Sequence, residues 1–283
     1  MKFLAALFSA LVLTTSVFAS NIDNNSDNEK TTSIEATSQK KSGQVVYNCG
    51  TTPCEGVKKA YHTNGQLQIA GTFKNGIAVD TLKEFDAAGQ MMRLFLPNTD
   101  NGFEMQFYTD GQVKRIYENK TNKCTYYYNN GNIWLTYTHN AGTRTNITQY
   151  YENGELRLTQ KENKQVVYYA DGKIAYEFKR KVKAKKDDVA LYNYTYEAFN
   201  QVGVKITTAT FSATSMDFKN GFPLEISEVS EEDLNQIVFF DEVGSPLRKA
   251  EYTQTSNSRY TKGNYTFNGK WEKTTSESVK VAK

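Results

Sequence analysis

One short pattern, aromatic–x–x–(Asn/Asp)–Gly–x–aliphatic, recurs along this chain and limits what the chain can fold into. It appears as YHTNGQL at 61–67, FDAAGQM at 85–91 (with Ala for Asn/Asp), FYTDGQV at 107–113, YYNNGNI at 127–133, YYENGEL at 150–156 and YYADGKI at 168–174. The glycines fall at 65, 89, 111, 131, 154 and 172, at intervals of 24, 22, 20, 23 and 18 residues. A period near 20 with one supersecondary unit per copy describes a quasi-one-dimensional array. Looser copies follow at 199–206, 239–247 and 265–271, and a second unit, FKNG, stands at 73–76 and 218–221.

Each copy reads as a β-hairpin. Asn-Gly and Asp-Gly are preferred centres of type I′ turns, in which both residues take positive φ. The Tyr, Phe, Ile and Val around them favour strands. The expected fold is therefore all-β, an elongated antiparallel sheet of repeated hairpins. Counting outward from a two-residue turn sets Tyr151 opposite Leu156 and Tyr150 opposite Arg157. Applied to each copy, the count gives one apolar face, carrying His62/Leu67, Tyr108/Val113, Tyr128/Ile133, Tyr151/Leu156 and Tyr169/Ile174. On the wetter face one aromatic per hairpin forms a stripe, and Tyr127, Trp134, Tyr150, Arg157 and Tyr168 are its candidate binding residues. The plainer alternative is that these rings only brace neighbouring hairpins.

The copies YYENGELRLT and YYADGKIAYEF resemble the MORN-variant repeats of bacterial proteins grouped as the YwqK antitoxin-like family. The resemblance covers residues 60–178 well and 199–271 poorly. It implies a MORN-like repeat array of stacked hairpins, with protein-binding or toxin-neutralising roles rather than catalysis. FKNGIAVD departs from the family pattern by lacking the second glycine of the intervening hairpin.

Residues 1–19 have a basic start at Lys2, an uncharged apolar run from Phe3 to Phe18 and small residues before Ser20. That is the layout of a secretory signal peptide, so the product is expected to be exported, periplasmic or secreted. No later segment is long and apolar enough for a transmembrane helix. Residues 20–43 are polar, lack aromatics and read as a disordered linker. In an oxidising compartment Cys49 and Cys54, separated by a Gly- and Pro-containing turn, are expected to bond, leaving Cys124 as a free thiol. Cys124 pairing with either of the others is the open alternative.

The organisation expected from these signals is a hairpin block at 44–178, a basic loop at 179–188, divergent β repeats at 189–271 and a polar tail at 272–283. Lys179, Arg180, Lys181, Lys183, Lys185 and Lys186 form the basic patch of that loop. Across the chain, however, 34 Lys and Arg meet 31 Asp and Glu, a net charge of +3, which argues against a nucleic-acid binder. With two histidines and no nucleophile, metal-ligand or phosphate-loop motif, the chain is expected to be non-enzymatic, with no cofactor and no metal. The expected function is binding of an unidentified protein partner, with toxin neutralisation as what the repeat resemblance implies. The alternative is a cell-envelope polymer, glycan or lipid.

Overall fold

The computed structural model describes residues 34–38, 45–97, 102–186, 189–214, 216–218, 220–256 and 258–281. Residues 1–19 and most of 20–43 therefore lie outside the described residues. The chain divides into two compact units, Met1–Gly131 and Asn132–Lys283. Both are antiparallel β structures, and among the described residues there is no α-helix.

The first unit holds β1 (Ile34–Ser38), β2 (Val45–Cys49), β3 (Thr52–Pro53), β4 (Gly56–Tyr61), β5 (Leu67–Lys74) and β6 (Ile77–Ala78). It continues with β7 (Leu82–Phe85), β8 (Met91–Leu96), β9 (Phe103–Phe107), β10 (Val113–Glu118) and β11 (Lys123–Tyr127). From β4 onward neighbours in sequence pair as a meander, except that β5 takes both β6 and β7 on one side. The second unit runs through β12 (Ile133–Asn140), β13 (Thr143–Tyr150), β14 (Leu156–Lys161), β15 (Lys164–Tyr168), β16 (Ile174–Lys186) and β17 (Val189–Phe199). It ends with β18 (Lys205–Thr214), β19 (Leu234–Phe240), β20 (Pro246–Ser256), β21 (Arg259–Phe267) and β22 (Trp271–Lys280), each paired with the next.

The repeat glycines close a turn different from the expected one. In the fifth copy Tyr151 N donates to Glu155 O at 2.8 Å and Gly154 N to Tyr151 O at 2.9 Å. Gly154 has φ +89°, whereas Asn153 is not among the residues with positive φ. This is a type I turn closed by a left-handed glycine, a three-residue loop rather than a type I′ pair. The asparagine selects it, because Asn153 Oδ1 accepts the Glu155 N–H at 3.0 Å. Where Asn or Asp is missing before the glycine, an acceptor two residues upstream does the same work. Asp86 Oδ1 accepts from Ala88 N and Gln90 N, and Asp241 Oδ1 from Val243 N and Ser245 N. True two-residue turns occur at the opposite strand ends, at Asn75-Gly76 and Ala141-Gly142, where both φ values are positive.

The longer loop shifts the pair nearest the turn by one, and a bulge restores the two-residue count from Gln149/Leu158 and Val167/Tyr176 onward. Tyr150 opposes Leu156 and Tyr168 opposes Ile174, with a bulge immediately after each pair. The second aromatic of a copy therefore sits at the start of the turn, where its hydroxyl reaches the next hairpin. Tyr108 donates to Tyr127 O, Tyr151 to Tyr168 O and Tyr169 to Phe199 O, each at 2.7 Å. His62 Nε2 stands 2.9 Å from Phe85 O in the first copy. The doubled aromatic is thus one ring for the sheet face and one hydroxyl tie between hairpins.

One face of each unit is covered by the chain itself. In the first, β1 to β3 lie over β4 to β7, and Tyr47 and Cys54 pack with Ala60, Ile69, Phe73 and Leu82. Ile34–Ser38, inside the segment read as a disordered linker, forms strand β1 against β2. In the second, the connection from β18 to β19 folds back over β14 to β18. Its Phe222 (2% exposed) joins Phe178, Tyr194 and Phe211 in the core. Buried Gln165 donates to Pro223 O at 2.8 Å and buried Gln160 to Asn220 O at 2.7 Å, so the strap's backbone groups are satisfied by the sheet.

Two further boundaries are corrected. Residues 179–186 are not a loop but the second half of β16, paired with β17. The tail expected from 272 is strand β22 as far as Lys280. Cys49 and Cys54 are bonded, and Cys124 is a free thiol with no exposure. Because the Cys124 sulfur is buried 3.2 Å from Arg115 Nε, it should resist alkylation in the native protein and react once the chain is denatured. Mass mapping after native and denaturing alkylation checks this, and rapid native labelling would overturn it.

Candidate functional site

The face of the second unit turned away from the strap carries the first aromatic of each repeat. Gln149, Leu158, Val167 and Tyr176 form one cross-strand row, and Tyr176 packs against the strap-covered core. Their chain neighbours Tyr150 and Tyr168 therefore point to the opposite face. The pairs Tyr150/Leu156, Tyr168/Ile174 and Phe199/Lys205 succeed one another along that face near the turns. Tyr150, Tyr168 and Phe199 are half-buried, and Ile174 is 37% exposed.

The five candidate residues do not all meet there. Tyr127 is half-buried at the end of β11 and belongs to the first unit; the other four belong to the second. Burial, with Glu118 adding to it, raises the Tyr127 hydroxyl pKa above its usual value. Trp134 is half-buried on β12. Arg157 is exposed, but its guanidinium lies 5.8 Å from the ring centre of Tyr151, not opposite Tyr150 as the two-residue count had it. The shifted register is the reason.

Below the aromatics this face is polar. Thr136, Thr148, Thr159, Val166, Glu177, Glu197 and Thr208 make one continuous cross-strand row. Glu177, though buried, is bridged by Lys164 Nζ at 2.8 Å and by Lys179. Burial pushes its carboxyl upward, but the two lysines outweigh that and hold it below the usual value. Toward the chain's end, Lys249 Nζ sits 4.7 Å from the Tyr265 ring centre and 5.0 Å from that of Trp271.

The basic residues of β16 divide between the two faces. Lys179 and Lys181 share the open face with Glu177, and Lys183 joins them through Ser212 Oγ at 3.3 Å. Arg180 points beneath the strap, where its guanidinium donates to Gly221 O at 2.5 Å and to Glu162 O at 3.0 Å. It also lies 4.5 Å from the ring centres of both Tyr192 and Phe222. Register places Lys185 on Arg180's face, and the Lys186 side chain lies outside the described residues. Arg180 is therefore a packing residue of the strap, which its place in a run of lysines concealed. Gln160 and Gln165 were missed for a related reason: a glutamine in a strand signals nothing until its partner is known.

Among the described residues, no group of three or more His, Cys, Asp or Glu is placed to hold a metal ion. No helix among them is long and apolar enough to cross a membrane.

Comparison with known proteins gives the following. The MORN repeat variant matches residues 55–75, which span β4, its turn and β5. The chain thus carries a MORN repeat, at the first copy of the pattern found in the sequence. No curated protein matches the chain. Among solved structures, alternansucrase in complex with isomaltononaose is similar at 12% identity and a TM-score of 0.15. That match covers 85% of this chain and 23% of the alternansucrase chain.

Proposed function

We propose that this chain is an exported, non-enzymatic repeat protein that binds a protein partner through the open face of its hairpin sheet. The observation that carries the reading is the row of half-buried aromatics, Tyr150, Tyr168 and Phe199, on the face the strap leaves uncovered. Rings with few rotors and adjoining aliphatic pairs supply contact area at low entropic cost, which is how interface anchors work. The Cys49–Cys54 bond fits an oxidising compartment, as export requires. A toxin to be neutralised, the partner class that the repeat resemblance implies, is one protein such a face would suit.

The test is a double variant, Tyr150→Ser with Tyr168→Ser. Each loses cross-strand contacts of about 0.2–1 kcal/mol, so the protein should stay folded while capture of its native envelope partner fails. A companion variant, Tyr151→Phe, removes the hydroxyl tie to Tyr168 O and should leave capture intact. Thermal melts and pull-downs on both variants decide the matter. A Tyr150/Tyr168 variant that stays folded and still captures the partner overturns the reading.

A further inference from the structure

The open face of the second unit also carries a second, electrostatic feature at the strand ends remote from the aromatic row. Lys161 lies directly opposite Lys164, and Lys164 directly opposite Lys179, so three ammonium-bearing side chains stand abreast on β14, β15 and β16. Like charges in direct cross-strand register destabilise a sheet. Lys181 and Lys183 extend the cluster along β16. Among the described residues, Glu177 is the carboxylate that ion-pairs with members of this cluster, taking Lys164 and Lys179 together. Glu162, in the turn between Lys161 and Lys164, forms no ion pair with them among the described residues. Five lysines against Glu177 and Glu162 leave a local surplus of three positive charges, Glu197 opposite Glu177 being taken by Lys205. A repulsive arrangement of that size, held in register by the sheet, is complementary to a multiply charged anion.

Spacing narrows the anion. Lys179 and Lys181 are alternate residues on one strand, so their attachment points stand about 6.6–6.8 Å apart, while Lys161, Lys164 and Lys179 step across strands by about 4.8 Å. Two residues contain six backbone bonds. A phosphodiester polymer joined through three-carbon units, a polyol phosphate or the backbone of a nucleic acid alike, also has six backbone bonds per charge, and when extended it repeats at nearly the same distance. Directly opposite Lys179 and Lys181 stand Thr195 and Asn193, with Thr210 and Ser212 on the strand beyond, all hydroxyl or amide side chains. They suit polyol hydroxyls and provide no ring on which a base could stack.

We infer that the lysine cluster of β14–β16 is a binding site for a linear polyol-phosphodiester polymer, separate from the protein-binding aromatic row. The contacts would be ammonium to phosphate, with the serine, threonine and asparagine side chains on the polyol.

The test uses the full chain and synthetic poly(glycerol phosphate), with affinity measured by calorimetry over a range of salt concentrations. The native protein should bind saturably, and affinity should fall linearly on a log–log plot against salt. A triple variant, Lys161→Ser, Lys181→Ser and Lys183→Ser, keeps both lysines that hold Glu177 and relieves the Lys161/Lys164 repulsion, so it should melt no lower than the native protein. It should bind at least tenfold more weakly, and its salt slope should be shallower by about 2, at roughly 0.7 for each lost phosphate contact on a flexible chain. The Tyr150/Tyr168 variant should bind the polymer normally, so failure here and failure of the protein-binding reading are distinguishable. Absence of saturable binding, or unchanged binding by the triple variant, overturns the inference. So does equal affinity for poly-glutamate of matched charge, which would reduce the site to charge alone. Tighter binding of a single-stranded oligonucleotide would assign it to nucleic acid instead.

Discussion

Replacing Tyr194 with alanine is expected to lower the stability of the protein by about 3–5 kcal/mol, the range for removing a large buried aromatic side chain. Tyr194 is 1% exposed and stacks on Phe211 with ring centres 4.7 Å apart and planes 2° from parallel. Its edge contacts reach Phe218 at 5.8 Å and Phe222 at 5.9 Å, both contributed by the strap. Its hydroxyl donates to Gly221 O at 3.0 Å. Alanine would therefore open a cavity in the layer that joins strap to sheet. Tyr194→Phe keeps the stack and loses only the hydroxyl, and Arg180 still donates to the same carbonyl, so it should cost about 0.5–1.5 kcal/mol. Denaturant melts of both variants check the pair. An alanine variant no worse than the phenylalanine one would show that the strap does not depend on this stack.

The second large effect is expected at Gly76. This residue holds φ +76°, and a Cβ there would stand 2.7 Å from Tyr47 O and 2.7 Å from Val46 Cγ1. Its amide donates to Cys54 O at 2.8 Å and its carbonyl accepts from Tyr47 N at 2.7 Å, so it is the seat of the N-terminal cover. Gly76→Val incurs left-handed strain of about 1–3 kcal/mol and an overpacking cost of similar size. Gly154→Val, with φ +89° and nothing within 4 Å of its Cβ, incurs only the first. Denaturant midpoints should therefore fall for both, and roughly twice as far for Gly76. Equal shifts would mean that the cover yields freely around position 76.

The hairpins were legible because their signals are local. Asn-Gly and Asp-Gly flanked by aromatic and β-branched residues call for a turn between strands whatever lies elsewhere, and the repeat phase made six weak signals one strong one. The disulfide followed likewise from two nearby cysteines. Only the pairing beside the turn departs from the two-residue count, although it too is local. Asn-Gly is compatible with both the two-residue and three-residue loops, and the choice rests on Asn153 Oδ1 reaching the Glu155 N–H. That one-residue difference moved Tyr151 from a sheet face to the turn and separated Arg157 from Tyr150.

By itself, then, the sequence determined an all-β chain of repeated hairpins with a local disulfide and one aromatic per repeat beside each turn. It also told the apolar face from the wetter one, on which Tyr150 and Tyr168 stand, but what covers the apolar face was decided only by the tertiary structure. The cover in the second unit comes from residues about 60 positions away, since Gln160 and Gln165 meet the backbone of Asn220 and Pro223. A period-2 pattern tells an apolar face from a polar one, but it does not name the distant segment that packs on it. The same long-range closure turned Arg180 inward from a run that looked uniformly solvent-facing. It also left Lys161, Lys164 and Lys179 abreast, because cross-strand neighbours are made by pairing and are invisible in chain order.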